Sequence, residues 1–434
     1  MNTMQMGGDA RVNDLMQMGQ RAAMAGRRDE AARAWEQVLT VAPEHPQALY
    51  YLGQHALYRQ DMQAARALLE RAEKGAPKEP GIPLNLSFVF RAMGDANAEA
   101  NAITRALVID PYFYPALLSK GMLFERIGNK RGAAQVYTSV LRISPPDDQL
   151  PPSLRAPMAH ARDVVRENAA ELEAFLREKL GPIRDRHASE KLDRFDECKD
   201  ASIGTKKIYV HQPALWNFPR LPAIQYFDRE LFPWLKDVEA TTPVIREELQ
   251  NLLEKKLPGF VPYVDHPDGV PLNQWADLHR SEKWSAYFLW KDGQRNEEHC
   301  ALCPKTVAAL EKLPLSEVPG YSPCGFFSTL QPHARIPPHT GVTNVRSIVH
   351  LPLIIPGNCY FRVGNDTREW KEGEAWVFDD TIEHEAWNDS DKLRVIFIFD
   401  IWNPHLSMAE RDLVSALLVA EREYYGESQA DFSH

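Results

Sequence analysis

Cysteine is scarce. The 434 residues contain five, Cys198, Cys300, Cys303, Cys324 and Cys359, too few and too scattered for a disulfide framework. Cys300 and Cys303 form a CxxC beside His299, but no second cysteine or histidine pair stands at finger spacing. The pair is therefore expected to be reduced thiols in a loop rather than zinc ligands. Long apolar runs are missing too: none approaches the roughly 18 residues needed to cross a bilayer, and the opening residues lack the apolar core of a secretory signal. A cytoplasmic protein without membrane contact is expected. Positive charge is in deficit, 50 basic against 60 acidic residues, which excludes a non-specific binder of nucleic-acid backbones, since such proteins depend on cations to release counterions. What remains, 44% hydrophobic and 25% charged residues, is an ordinary globular composition with enough chain for two cores and a connector.

The N-terminal third repeats. Gly26, Gln60, Gly94 and Gly128 are spaced by 34, and so are Pro43, Pro77, Pro111 and Pro145. In the same register, Gly19, Gly53, Ser87 and Gly121 take a small position and Ala31, Ala65, Glu99 and Ala133 a second one. Trp35, Leu69, Ile103 and Tyr137 take a large apolar position. Small residues let paired helices approach closely and large ones fill the space between neighbours, the pattern of four tetratricopeptide repeats over about residues 12–147. Ser87 and Glu99 make the third repeat the least regular. Such an array either rigidifies or dimerises the protein or offers a concave binding face.

The proline-rich stretch SPPDDQLPPSLRAP closes the array, and a charged helical stretch with Val164, Leu172, Phe175 and Leu180 at helical spacing follows. From about residue 200, short runs rich in β-branched and aromatic residues alternate with Gly, Pro and Asn turns: KIYVHQP, WSAYFLW, GFFSTLQP, RSIVHLPLIIP, CYFRVG, EAWVFDD and LRVIFIFDIW. The expected architecture is α+β multidomain. Residues 1–147 form an all-α solenoid, 148–200 a proline-rich linker and connecting helix, and 201–434 a double-stranded β-helix, jelly-roll or cupin-like domain.

Two histidines stand out in that domain. His339 lies between two prolines and a Thr-Gly just before the apolar run from Arg346, and His384 follows the strand through Phe378. The 45 residues between them allow several strands to return the chain beside its start. Two neutral imidazoles at a barrel mouth suit a borderline metal such as Fe(II). The carboxylate that often stands two residues after the first histidine is absent, because that position is Gly341; Asp379, Asp380, Glu383 and Glu385 lie near His384. A water or an anion could fill the vacancy.

From about Lys207 to Pro404, through WSAYFLWKDGQRNE and CPKTVAALEKLP and most densely between Ser328 and Pro404, the chain resembles the aspartyl/asparaginyl β-hydroxylase family of Fe(II)- and 2-oxoglutarate-dependent oxygenases. In that family a glycine takes the usual carboxylate position, and animal members carry helical repeats ahead of the oxygenase domain. The resemblance implies a hydroxylase that uses Fe(II), 2-oxoglutarate and O₂ to β-hydroxylate Asp or Asn residues of a peptide or protein, with His339 and His384 as metal ligands and catalytic residues. It implies that Arg394 and Ser328 hold the distal carboxylate of 2-oxoglutarate, a task suited to a planar guanidinium. His350 and Trp284 would line the cosubstrate pocket, and Arg346 would contact an acidic substrate side chain. One departure stands out: animal members have a second arginine where this chain has Ile348. A peptide or protein substrate or a carrier protein is the expected partner of the repeats. The alternatives are a hydroxylase of a free amino acid, lipid or other small molecule, a halogenase with chloride beside Gly341, and a repeat scaffold with an inactive oxygenase domain.

Overall fold

The computed structural model describes residues 3–425, in two compact units divided between Ile203 and Gly204. In the first unit, four antiparallel helix pairs follow one another: Thr3–Met24 with Arg28–Val41, Pro46–Tyr58 with Met62–Gly75, Gly81–Ala92 with Ala96–Ile109, and Tyr114–Arg126 with Lys130–Ile143. The 34-residue spacing has a local cause. Gly26, Gln60, Gly94 and Gly128 turn the chain between the helices of each pair in left-handed backbone, with φ of 74°, 61°, 77° and 81°. Asp61, Asp95 and Asn129 then cap the helices that follow with their side chains. A Cβ at Gly19, Gly53 or Gly121 would lie 2.3, 2.6 or 2.2 Å from an atom of Trp35, Leu69 or Tyr137, so the small and large positions of the repeat meet across each pair. The irregular third repeat keeps the same form. Its Ser87 hydroxyl donates to Leu84 O at 2.6 Å, and buried Glu99 forms an ion pair with Arg126. The helix Pro152–Arg186 begins inside the proline-rich stretch and packs Met158 and Ala161 on Tyr137 of the last repeat.

The second unit is β-rich. Its strands are β1 (Val261–Pro262), β2 (Trp284–Lys291), β3 (Gln294–Arg295), β4 (Gly325–Leu330), β5 (Arg335–His339), β6 (Arg346–Ile354), β7 (Cys359–Val363), β8 (Asp366–Glu369), β9 (Trp376–Phe378), β10 (His384–Asn388) and β11 (Arg394–Trp402). A seven-stranded antiparallel sheet runs β1-β2-β4-β11-β6-β9 with β3 beside β2, and a four-stranded one runs β5-β10-β7-β8. One core is shared by the two sheets, with Leu330 and Ile396 from the large sheet and Ile336, Phe361 and Ala386 from the small one. The opposite face of the large sheet, through Phe327, Phe397 and Leu351, packs on helices Thr242–Glu254 and Pro304–Leu310. Alternate residues of β11 thus serve two cores.

Three local expectations change. Residues 207–213 are not a strand; they run extended and donate single hydrogen bonds, such as Gln212 N to Thr381 O at 2.8 Å. Arg335–His339 is a strand in spite of Pro337 and Pro338, because β5 lies at the edge of the small sheet, where a missing N–H breaks no ladder. Cys300 and Cys303 are core residues at the end of helix Glu297–Leu302, and burial pushes the Cys303 thiol up to about 12. Among the described residues no helix is long and apolar enough to cross a membrane.

Candidate active site

A cavity of about 520 Å³ opens between the sheets, and all seven residues singled out from the sequence line it: Trp284, Ser328, His339, Arg346, His350, His384 and Arg394. The two histidines meet by strand register. β10 pairs antiparallel with β5 so that His384 stands directly opposite His339, with ring centroids 4.0 Å apart. Each ring is oriented by backbone: Nδ1 of His339 lies 2.8 Å from Pro337 O, and Nδ1 of His384 lies 3.0 Å from Ile382 O. Since a carbonyl only accepts, both Nδ1 atoms carry the proton and both Nε2 atoms keep a free lone pair. Burial pulls the pKa of His339 down to about 4, and burial together with the His339 ring holds His384 well below its ordinary value. Both are neutral imidazoles, the form that binds a metal. Among the described residues no group of three or more potential ligands forms, and the two facing imidazoles are the pair the sequence singled out.

The space beside Gly341 is taken. A Cβ at that position would lie 2.0 Å from Asp380 Oδ2, and Gly341 N donates to Asp380 O at 2.6 Å. Asp380 is buried, its Oδ1 has no hydrogen-bond partner, and burial pushes its carboxyl up to about 7. Sequence reasoning noted Asp380 only as one of four nearby acids. An aspartate introduced at 341 therefore cannot complete a ligand triad without expelling Asp380. Gly341→Ala should already destabilise the protein by about 1–3 kcal/mol, the usual cost of overpacking, and lower turnover. Thermal melts check this: adding Asp380→Ala to Gly341→Ala should recover most of the lost stability by vacating the space.

Arg394 closes the deep end. It opens β11, is 1% exposed, lies 4.9 Å over the Trp370 ring, and reaches Ser328 only through long contacts, 3.3 Å to the carbonyl and 3.5 Å to Oγ. Among the described residues no carboxylate pairs with it. The two acids nearest in sequence logic are engaged elsewhere: Asp379 lies 2.9 Å from His211 Nδ1, and Asp400 accepts from Arg346 Nη1 at 3.0 Å. Nε of Arg394 has no partner, and burial pulls its pKa down to about 9. Ser328 Oγ accepts from Trp284 Nε1 at 3.1 Å, which fixes the hydroxyl beside the guanidinium. His350, packed against Phe361 and Phe378, has an unpartnered Nδ1 and is held well below its ordinary pKa by burial and by Arg394. Arg346 is also deep; burial opposes its charge, but Asp400 and Asp380 outweigh that and raise its pKa.

A strap missed in the sequence ties the two histidine-bearing turns together. Ala214 N donates to Gly341 O at 2.8 Å, Trp216 N to Val342 O at 3.1 Å, and Gln212 N to Thr381 O. His211 anchors it. Its Nδ1 faces Asp379 Oδ2 at 2.9 Å and Thr381 Oγ1 at 3.0 Å, and its Nε2 lies 3.1 Å from Leu221 O. The Thr381 hydroxyl is already donated to Asp379 Oδ1 at 2.6 Å, so both ring nitrogens face acceptors and the imidazolium satisfies both. Burial opposes that charge, yet Asp379, the one charged group acting on the ring, raises the pKa of His211 above its ordinary value. Stabilisation from this contact is complete below about pH 6.5, the value for an unfolded chain, and fades as pH rises through the raised folded pKa. In melts across pH, His211→Gln should lower Tm most at acidic to neutral pH, and its gap from the unaltered protein should narrow as pH increases.

Comparison with known proteins follows the same division. Residues 239–404 match the family described as aspartyl/asparaginyl beta-hydroxylase, and residues 16–80 match the tetratricopeptide repeat. The mouse and human proteins named aspartyl/asparaginyl beta-hydroxylase are 26% and 27% identical over 436 residues, covering 94% of this chain and 57% and 56% of theirs. The chain thus spans just over half the length of these relatives. A Rhizobium tropici protein named ornithine lipid ester-linked acyl 2-hydroxylase is 35% identical over 188 residues, covering 42% of this chain and 62% of its own.

Proposed function

We propose, from the match of residues 239–404 to the aspartyl/asparaginyl beta-hydroxylase family and of residues 16–80 to the tetratricopeptide repeat, that the protein is an Fe(II)- and 2-oxoglutarate-dependent hydroxylase of Asp or Asn residues in a peptide or protein. One observation carries this reading: among the described residues Arg394 is a buried guanidinium with no counter-anion, which is costly to keep in a core unless a ligand supplies the missing charge. The distal carboxylate of 2-oxoglutarate would supply that charge, with the Arg394 guanidinium and the Ser328 hydroxyl holding it. His339 and His384 would hold the metal, and Trp284 and His350 would wall the cosubstrate pocket. When bound, iron and 2-oxoglutarate supply the oxidation: a C–H bond of the substrate becomes C–OH with one atom of O₂, and the other atom enters succinate as CO₂ leaves. The residues of this chain position the reactants; the aromatic lining of Tyr263, Phe288 and Phe326 keeps water out. The repeat array favours a polypeptide over a free amino acid, since a solenoid offers an extended binding face. Hydroxylation of an acyl chain is the second reading, favoured by the 35% identity to the lipid acyl hydroxylase.

The test is to incubate the full-length protein with Fe(II), 2-oxoglutarate, ascorbate and a peptide library, following succinate and the gain of one oxygen atom by mass spectrometry. Succinate formation with an oxygenated peptide supports the reading, and no succinate under any condition overturns it.

A further inference from the structure

We propose that Trp275 is a positioning residue for His339, and that the loop carrying it, residues 264–280, is kept in place by a clasp of Arg280 on Asp265 and Asp268. The proposal rests on the reading of His339 as a metal ligand and adds what holds that ligand in place.

The two histidines are not supported alike. His384 lies in β10, which pairs with β5 on one side and β7 on the other, and its ring packs on Phe361 and Phe378 at centroid distances of 5.7 and 5.5 Å. His339 ends β5 at the edge of the small sheet, after two prolines that donate no hydrogen bond, and the pairing with β10 is irregular between His384 and Ala386. Its own strand supplies one contact to the ring, from Nδ1 to Pro337 O. A ring at the end of an edge strand turns about such a bond unless something packs against it. Besides His384, the aromatic rings against it among the described residues are two indoles: Trp275 meets it edge to face at 5.0 Å and 68°, and Trp284 lies tilted at 6.4 Å. Trp284 is fixed from the sheet, stacked on Tyr263 at 4.0 Å and hydrogen-bonded to Ser328. Trp275 is delivered by the loop.

That loop is closed at its neck. Val264 and His279 form a bridge, and Arg280 N donates to Val264 O at 2.8 Å. The Arg280 guanidinium spans the opening: Nε donates to Asp265 Oδ1 at 2.6 Å, Nη1 to Asp268 Oδ1 at 2.8 Å and Nη2 to His266 O at 3.3 Å. Arg280 holds this grip in left-handed backbone, φ 51°, a conformation that costs a non-glycine residue and persists only where its surroundings fix it. Asn273, left-handed at φ 44°, opens the single 3₁₀ turn Asn273–Trp275 that brings the indole to the cavity, and Leu278 N and His279 N both donate to Trp275 O at 2.9 Å. A segment this long with only one short turn of its own is uncommon in a compact domain and is usually functional. His266, Gln274 and Trp275 line the cavity, and Arg280 is not among the lining residues. Removing the clasp therefore deletes no cavity group and acts on His339 through the loop.

Fe(II) is titrated anaerobically into the metal-free full-length protein and its variants by calorimetry, without 2-oxoglutarate or substrate. Trp275→Ala should weaken Fe(II) binding about tenfold, the lower end of the cost of losing a residue that supports a metal ligand. Trp275→Phe, which keeps a ring against His339, should weaken it by no more than about threefold, half of a tenfold change on the free-energy scale. Arg280→Ala should also cost about threefold at low salt, and its gap from the unaltered protein should narrow in about 1 M salt, which screens the exposed clasp in the unaltered protein. Proteolysis within residues 265–279 should be faster in Arg280→Ala. Melts of the metal-free proteins establish that each variant is folded; if Trp275→Ala is not, Arg280→Ala carries the test. Fe(II) affinity of folded Trp275→Ala or of Arg280→Ala equal to that of the unaltered protein, or no rescue by phenylalanine at 275, overturns the positioning role while leaving the hydroxylase reading intact. An unaltered protein that binds no Fe(II) removes both.

Discussion

Replacing Arg394 by methionine should raise the 2-oxoglutarate concentration for half-maximal turnover at least about tenfold, because charge-assisted hydrogen bonds contribute about 1.5–3 kcal/mol each and every 1.4 kcal/mol is tenfold. Methionine fills similar space but offers no donor. A second consequence separates a ligand-binding arginine from a structural one. In the ligand-free protein Arg394 is a buried charge with no carboxylate partner among the described residues, so its removal relieves a cost and the variant should melt no lower than the unaltered protein. Added 2-oxoglutarate should stabilise the unaltered protein by mass action and the variant hardly at all. A variant that melts lower and still responds to 2-oxoglutarate would make Arg394 a packing residue.

The double variant His339→Ala/His384→Ala should retain no iron after desalting and form no succinate above background. Among the described residues no group of three or more potential ligands forms, so removing both facing imidazoles removes both proposed ligands at once. Single variants keep one imidazole and should fall between. Folding should survive, since the rings, His384 buried and His339 half-buried, are neutral groups whose hydrogen bonds go to nearby carbonyls within β5 and just ahead of β10 rather than across the sheet. Iron content by elemental analysis and a melt of each variant distinguish lost ligation from lost structure. Full iron retention by the double variant would place the metal elsewhere.

How much of this was legible depends on distance along the chain. The repeat array could be read in full because its determinants are local: a left-handed turn at each 34th residue, a cap after it, and a small residue facing a large one within one helix pair. β2, β4, β6, β7, β9 and β11 were legible for the same reason, as β-branched and aromatic runs, whereas β8 and β10 carry no such run. β5 escaped because its prolines disqualify a central strand, and only the sheet order reveals that it is an edge. The strap at residues 207–216 escaped because an apolar run alone does not distinguish a paired strand from an extended segment.

The sequence by itself determined which residue types were available for chemistry: two histidines, a glycine where a carboxylate often stands, and arginines at 346 and 394. The tertiary structure alone decided their partners. Register brought His384 opposite His339, filled the space beside Gly341 with Asp380, paired Arg346 with Asp400 and left Arg394 unpaired. The physical reason is that a one-residue slip in strand pairing turns every side chain to the other face. Whether a buried charge is spent or free is thus a property of the register, set by contacts between residues tens of positions apart.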